Sequence, residues 1–286
     1  MADEDAGQTI DLALSARGDQ LPISPQRIRE QLPGLEPERQ VTDWGRSERV
    51  EALVDRTVYD FLYHYWFRVD VEGIENVPAE AGALIVANHS GLVPADGAMI
   101  AKAIREEHPR RRALHLVTEQ HFGSLPGLGM LVRKLGAVAD HPANVHRLLF
   151  DERQLVLVFP EGRGGSRKPL KERYRLREFP SDRYVAAALR AGAPIVPLAV
   201  LGAEESAPVP RSLGTIRRLP RLPLNMPIPL PAKFKLRFLE PIDTAELGEQ
   251  RAGDLVLRRS LTEDIRALIQ ENLLELVAAR RSVWLG

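Results

Sequence analysis

Seven short stretches dense in apolar residues punctuate the middle of the chain: RVDVEG (68–73), ALIVAN (83–88), LHLVT (114–118), GAVA (136–139), QLVLVF (154–159), PIVPLAVLG (194–202) and KFKLRF (233–238). Between them lie segments of helical period, at about 97–107, 126–134, 143–151 and 182–191. Strand and helix in alternation predict an α/β layer fold, a central mixed and mostly parallel sheet flanked by helices. Ahead of the first strand, RSERVEALVDRTVYDFLYHYWF (46–67) keeps Val50, Leu53, Val54, Val58, Phe61, Leu62 and Tyr65 at helical spacing. This aromatic-rich helix either packs on the core or lays its rings at a lipid interface. A long helix over 254–281 closes the chain, with a capping-box pattern from Ser260 to Glu263. Leu261, Ile265, Leu268, Ile269 and Leu276 form its apolar stripe. Residues 1–45, rich in Pro, Gly, Gln and charge without an apolar period, read as a mobile arm, leaving 46–286 as a single domain.

Composition narrows the function classes. Lys+Arg and Asp+Glu both number 39 in 286 residues, so no overall field argues for nucleic acid and electrostatics must act through local clusters. Cysteine is absent, which excludes disulfides, thiolate zinc sites and a cysteine acyl-enzyme. No apolar run is long enough to span a bilayer, and MADEDAGQ lacks the features of a signal peptide, so a soluble or peripheral protein is expected. There is no G-x-S-x-G elbow and no phosphate loop, and GLGMLV (127–132) lacks the third glycine of a dinucleotide fingerprint. His141 and His146 are five apart and point to different helix faces, so no metal site is expected.

Three segments carry candidate chemistry. In NHSGLVPADG (88–97) a histidine leaves a strand end, where open α/β sheets place their ligands, and Asp96 follows. An imidazole near neutral pKa suits proton abstraction from an alcohol, and a carboxylate on its second nitrogen would orient it. Fully extended, the two would stand roughly 23 Å apart, so pairing requires the loop to fold back; Gly91 and Pro94 permit that turn. Asp96 could equally cap the following helix. The second segment, FPEGRGGSRKPLKERYRLR (159–177), sets glycines beside Arg163, Arg167, Lys168, Lys171, Arg173, Arg175 and Arg177, a composition suited to an anionic group such as phosphate. From Lys171 onward a solvated basic loop explains the charges as well. The third, Ser206 to Leu239, has no acid, seven basic residues and seven prolines. It reads as a membrane-facing segment, with a Pro-rich surface connection as the plainer alternative.

Taken together, Asn88-His89 with Asp96, FPEG at 159–162 and GAPIVP at 192–197 resemble the first, third and fourth blocks of the glycerolipid acyltransferases related to bacterial lysophosphatidate acyltransferase. The resemblance spans about residues 60–240. It implies transfer of a fatty acyl group from a thioester, acyl-CoA or acyl carrier protein, to the hydroxyl of a lysophosphatidate-like lysophospholipid in phospholipid biosynthesis, without a cofactor. His89 would be the general base and Asp96 its orienting partner. Asn88, Glu161, Gly162, Arg163 and Pro197 would serve substrate binding, and the protein would sit peripherally on the cytoplasmic face of a membrane. With no cysteine and no serine elbow, direct attack of the acceptor hydroxyl is expected rather than a covalent acyl-enzyme.

The pattern departs from the family in three places. Six residues separate His89 from Asp96 where four are usual, FPEGRGG replaces FPEGTRS, and Arg147 alone stands near the second-block arginine. These point to an outlying branch, with a neutral acceptor such as diacylglycerol as an alternative. A non-catalytic lipid-binding module is a rival of another class, and a single histidine disfavours the HHxxxDG acyltransferases.

Overall fold

The computed structural model of the chain describes residues 41–89, 95–118, 127–162, 165, 168, 172–206 and 229–284. All seven expected strands form: β1 (Asp70–Glu72), β2 (Ala83–Ala87), β3 (Leu114–Thr118), β4 (Ala137–Ala139), β5 (Leu155–Val158), β6 (Ile195–Leu201) and β7 (Lys235–Phe238). They make one sheet in the order β1-β7-β6-β2-β5-β3-β4, parallel at every pairing except the antiparallel β6–β7. The helices are α1 (Glu48–Val54, continuing to Trp66), α2 (Ala95–Glu107), α3 (Leu128–Lys134), α4 (Pro142–His146, continuing to Asp151), α5 (Arg183–Ala191), the short α6 (Ala203–Ser206) and α7 (Leu255–Ala279).

The run ALIVA is apolar at every position because β2 is covered on both faces. Ala83, Ile85 and Ala87 point into a cluster with Met99, Ile100 and Ile104 of α2 and Tyr63 and Phe67 from the α1 region. Leu84 and Val86 point the other way, against Leu189 of α5 and Ile265 and Ile269 of α7. Gly192 opens GAPIVP at φ +57, the left-handed conformation that ends α5 and turns the chain into β6.

Four details depart from the sequence reading. The Asp254 carboxylate accepts from the amides of Val256 (3.0 Å) and Leu257 (3.1 Å) and starts α7, so Ser260 lies inside the helix and not at a capping box. Leu273, outside the expected stripe, is buried with Ile265, Ile269 and Leu276. Two wider i→i+5 turns, Asp55–Tyr59 and Leu62–Trp66, each take in an extra residue and rotate α1 away from a 3.6-residue stripe. Tyr63 and Phe67 therefore enter the core while Val58, Phe61 and Tyr65 face solvent; Leu53, ahead of both turns, is exposed as well. Finally, part of the segment assigned to the membrane belongs to the sheet. Residues 207–228 lie outside the described residues, but Phe234, Leu236 and Phe238 are buried, and Lys233 and Arg237 pair with Asp70 (2.8 Å) and Glu72 (2.6 Å).

At the other end, residues 1–40 lie outside the described residues, whereas Val41 to Gly45, read with the arm, are held against the sheet domain. The Trp44 indole donates to Glu152 at 2.8 Å, and Arg147 stacks over its ring. No helix among the described residues is long and apolar enough to cross a membrane.

Candidate active site at the carboxyl end of β2

β2 lies between β5 and β6, and the chain leaves it for β3 on one side and later returns to β6 on the other. Its carboxyl end is therefore a switch point, where an open α/β sheet leaves a crevice. His89 sits there, two residues beyond the strand, and Asp96 lies in the first turn of α2. His89 Nδ1 stands 2.8 Å from Asp96 Oδ2. The loop with two extra residues thus closes; residues 90–94 themselves lie outside the described residues. The Asp96 carboxylate is fully buried, and its Oδ1 accepts from the Gly97 amide at 2.8 Å. Asp96 thus lies inside the first turn of α2, with one carboxylate oxygen on the next backbone amide and the other facing the imidazole.

The Phe159 ring stacks on His89 with centroids 4.5 Å apart and an interplanar angle of 28°. With Nδ1 turned to Asp96, Nε2 is the nitrogen left for a ligand, on a side chain 16% exposed. Burial pulls the His89 pKa down, but the charge and hydrogen bond of Asp96, assisted by Glu161 and opposed by Lys168, outweigh it, and the net direction is up. The carboxylate at Nδ1 thus favours the protonated ring.

Asn88 is buried, and its amide copies a strand pairing: Nδ2 donates to the Val200 carbonyl (2.8 Å) and Oδ1 accepts from the Val200 amide (2.7 Å). It fastens the end of β2 to β6. Glu161, expected beside an acceptor phosphate, is also buried and fully engaged. Its carboxylate accepts from the amides of His89 (3.3 Å) and Arg177 (2.9 Å) and pairs with Lys168 at 3.0 Å. Gly162 has φ +52 and closes a turn onto the Phe159 carbonyl at 3.1 Å, which explains the glycine of FPEG. Arg163 lies outside the described residues. Pro197 is in register with Val86 inside the sheet, about 10 Å along the strand from the level of His89. Arg147 pairs with Asp43 (2.9 Å) and Glu152 (2.8 Å), well occupied away from the dyad.

Sequence reasoning missed the stacked Phe159, the close passage of Gly165, and Lys168 as a buried cation. A Cβ at Gly165 would stand 2.9 Å from the His89 carbonyl oxygen and 2.8 Å from Glu161 Cβ, so only glycine passes there without displacement. Elsewhere, Asp60, His64 and Glu106 come together on the surface, but Lys102 already places its ammonium there, 2.8 Å from Glu106 and 3.3 Å from Asp60.

Residues 68–201 match the family model described as "Acyltransferase". An uncharacterized protein of Mycobacterium tuberculosis is 37% identical over 271 residues, covering 91% of this chain and 75% of that protein. The chicken (Gallus gallus) protein named "DGAT1/2-independent enzyme synthesizing storage lipids" is 30% identical over 203 residues, covering 67% and 57%. Among solved structures, the 1-acyl-sn-glycerophosphate acyltransferase PlsC of Thermotoga maritima superposes with a TM-score of 0.54 at 21% identity, over 82% of this chain and 80% of that one.

Proposed function

Since the chain belongs to the acyltransferase family and has the fold of a glycerolipid O-acyltransferase, we propose that it moves a fatty acyl group from a thioester to a glycerolipid hydroxyl, with His89 as general base. The observation that carries this reading is the His89–Asp96 contact at 2.8 Å, at a strand end with Nε2 left for the acceptor. His89 Nε2 takes the hydroxyl proton as the oxygen attacks the thioester carbonyl. The C–S bond then breaks, and the leaving thiolate receives the proton from the imidazolium. Such general-base assistance contributes about 10²- to 10⁴-fold. Asn88 and Glu161 act by holding the histidine loop, and Arg163 is the residue assigned to an acceptor phosphate. The donor is acyl-CoA or acyl carrier protein, and the acceptor a lysophosphatidate-like lysophospholipid.

A neutral acceptor is the second reading. It is favoured by the likeness to the chicken storage-lipid enzyme and by the engagement of Glu161 and Lys168 with each other. Purified protein assayed with acyl-CoA against lysophosphatidate, other lysophospholipids and diacylglycerol separates the two. Dependence on the acceptor phosphate supports the first, and indifference to it the second. His89→Ala is expected to remove turnover by at least about 10²-fold while leaving the fold intact; near-normal acyl transfer by this variant rejects the mechanism. Lipid binding by the wild-type protein without transfer to any acceptor would instead favour a non-catalytic module.

We further propose that the protein works as a peripheral protein on the cytoplasmic face of a membrane. Leu53, Val58, Phe61 and Tyr65, between 51% and 70% exposed, form an apolar face on α1 that the core leaves uncovered. Trp66, half-buried beside them, donates from its indole to the Pro229 carbonyl (2.8 Å), where the chain returns from the basic Pro-rich segment.

A further inference from the structure

Among the described residues, Lys168 is the most deeply buried ammonium near the dyad. Its side chain is 2% exposed, and it lies 3.0 Å from Glu161 Oε2, 2.9 Å from Glu204 Oε1 and 3.2 Å from the Arg175 carbonyl. The ammonium hydrogen-bonds Glu161 and the Arg175 carbonyl and forms an ion pair with Glu204, so two buried carboxylates share one cation. Burying charges costs more than a single surface pair returns, so a cluster of this kind is weak evidence for stability. What it does provide is geometry. Glu161 and Lys168 belong to the connection after β5, and Glu204 begins the turn after β6. The same Glu161 carboxylate accepts from the His89 amide, and Gly165 presses on the His89 carbonyl from the same connection.

We infer that Lys168 is a positioning residue for the reaction: held between Glu161 and Glu204, it fixes the Glu161 carboxylate against the backbone of His89 and so sets where the base stands. This inference rests on His89 being the base. Continuity supports it on the far side, where Glu204 Oε2 accepts from the Tyr174 amide at 2.7 Å. Beyond it, the neighbouring Glu205 binds the Tyr174 hydroxyl and Arg280, both at 2.5 Å. The site is thus tied through buried polar groups to the end of α7. Among the described residues, the charged groups facing His89 are Asp96 from α2 and Glu161 and Lys168 from the connection after β5. Asp96 and Glu161 raise its pKa, and Lys168 lowers it.

The test pairs two variants of the full-length protein. Lys168→Met leaves Glu161 and Glu204 without their cation, and some loss of thermal stability is expected. Lys168→Met/Glu204→Gln removes the stranded charge of Glu204 and is expected to recover much of that stability. In both, kcat should fall about 10- to 100-fold, the scale of a small misplacement of a catalytic group, with the KM for acyl-CoA within a few-fold of wild type. The acid limb of the pH–rate profile should move to higher pH, because a cation that opposes protonation of His89 is gone. Recovery of kcat together with stability in the double variant, or an acid limb that stays in place, overturns the inference and leaves Lys168 a packing element. Failure of His89→Ala to lose activity is a separate result, which rejects the assignment of the base and not the clamp alone.

Discussion

As the proposed general base His89 must be neutral to accept a proton, so the direction of its pKa has a consequence for rate. Burial works against the charged ring, but Asp96 and Glu161 prevail and the pKa lies above the usual value of about 6.5. Activity should then rise with pH along a limb centred above that value. Asp96→Asn keeps the shape of the contact and removes the charge, so the acid limb should shift to lower pH while kcat falls by about 10²-fold or more through loss of tautomer control and imidazolium stabilisation. A pH–rate series on the two proteins reads both effects, and an unmoved limb excludes electrostatic coupling of the pair. The stability sign follows from the same shift. The stabilisation from protonated His89 beside Asp96 is fully present below the unfolded-state pKa of about 6.5 and is lost as pH rises through the higher folded value. At this scale residue type and strand-end position make His89 a candidate, and the resemblance to a known family adds Asp96 as its partner. The roles of Asn88 and Glu161 are not, because polar residues beside a base look alike in sequence whether they face a ligand or a backbone amide.

At the scale of elements, the strands were the most legible part of the chain, since a strand buried on both faces reads as an uninterrupted apolar run and β2 has no polar position at all. Helix ends were less so. Ser260 and Glu263 carry a capping-box pattern, yet Asp254 caps α7 and Ser260 faces Asp264 one turn on. The pattern satisfies a local rule that tertiary packing did not use. In α7, Ile269 is fully buried between Ile265 and Leu273 over the β2–β6 face of the sheet. Ile269→Ala should cost about 2–5 kcal/mol of folding stability, read from the urea midpoint, with kcat per folded molecule unchanged because the helix lies behind the sheet and not at its carboxyl edge. The wider turns of α1 are the other illegible element. Nothing in the spacing of Val50, Val54 and Leu62 marks where an i→i+5 turn will rotate the helix, and it is that rotation which sends Tyr63 inward and Phe61 and Tyr65 outward.

Over the whole molecule, balanced charge conceals an uneven distribution of charge along the chain. Acids and bases of α1 and α2 engage one another, with Lys102 bonded to Asp55 and Asp60 and Arg105 to Asp55 and Glu51. The segment 207–228 carries Arg211, Arg217, Arg218 and Arg221 without an acid. An apolar helix face joined by a tryptophan hydrogen bond to the end of that basic stretch suits a surface of anionic lipid, where each basic residue contributes about 1 kcal/mol. Phe61→Ser/Tyr65→Ser should therefore lower cosedimentation with anionic vesicles several-fold while leaving activity on a detergent-dispersed acceptor within about twofold. Unchanged cosedimentation would remove α1 from the membrane contact.

Apolar period was enough to determine the layer architecture and the seven strands, because these follow from local burial pattern, while the order of three short motifs, through a family resemblance, singled out His89 and Asp96. Tertiary structure alone decided the rest. It brought residues seven positions apart to 2.8 Å across a loop of unusual length, turned Asn88 and Glu161 inward onto backbone groups, and buried Lys168 between Glu161 and Glu204. A side chain's partner in such a site is chosen by where distant strands and turns converge, and no property of the residue or its neighbours in sequence carries that information.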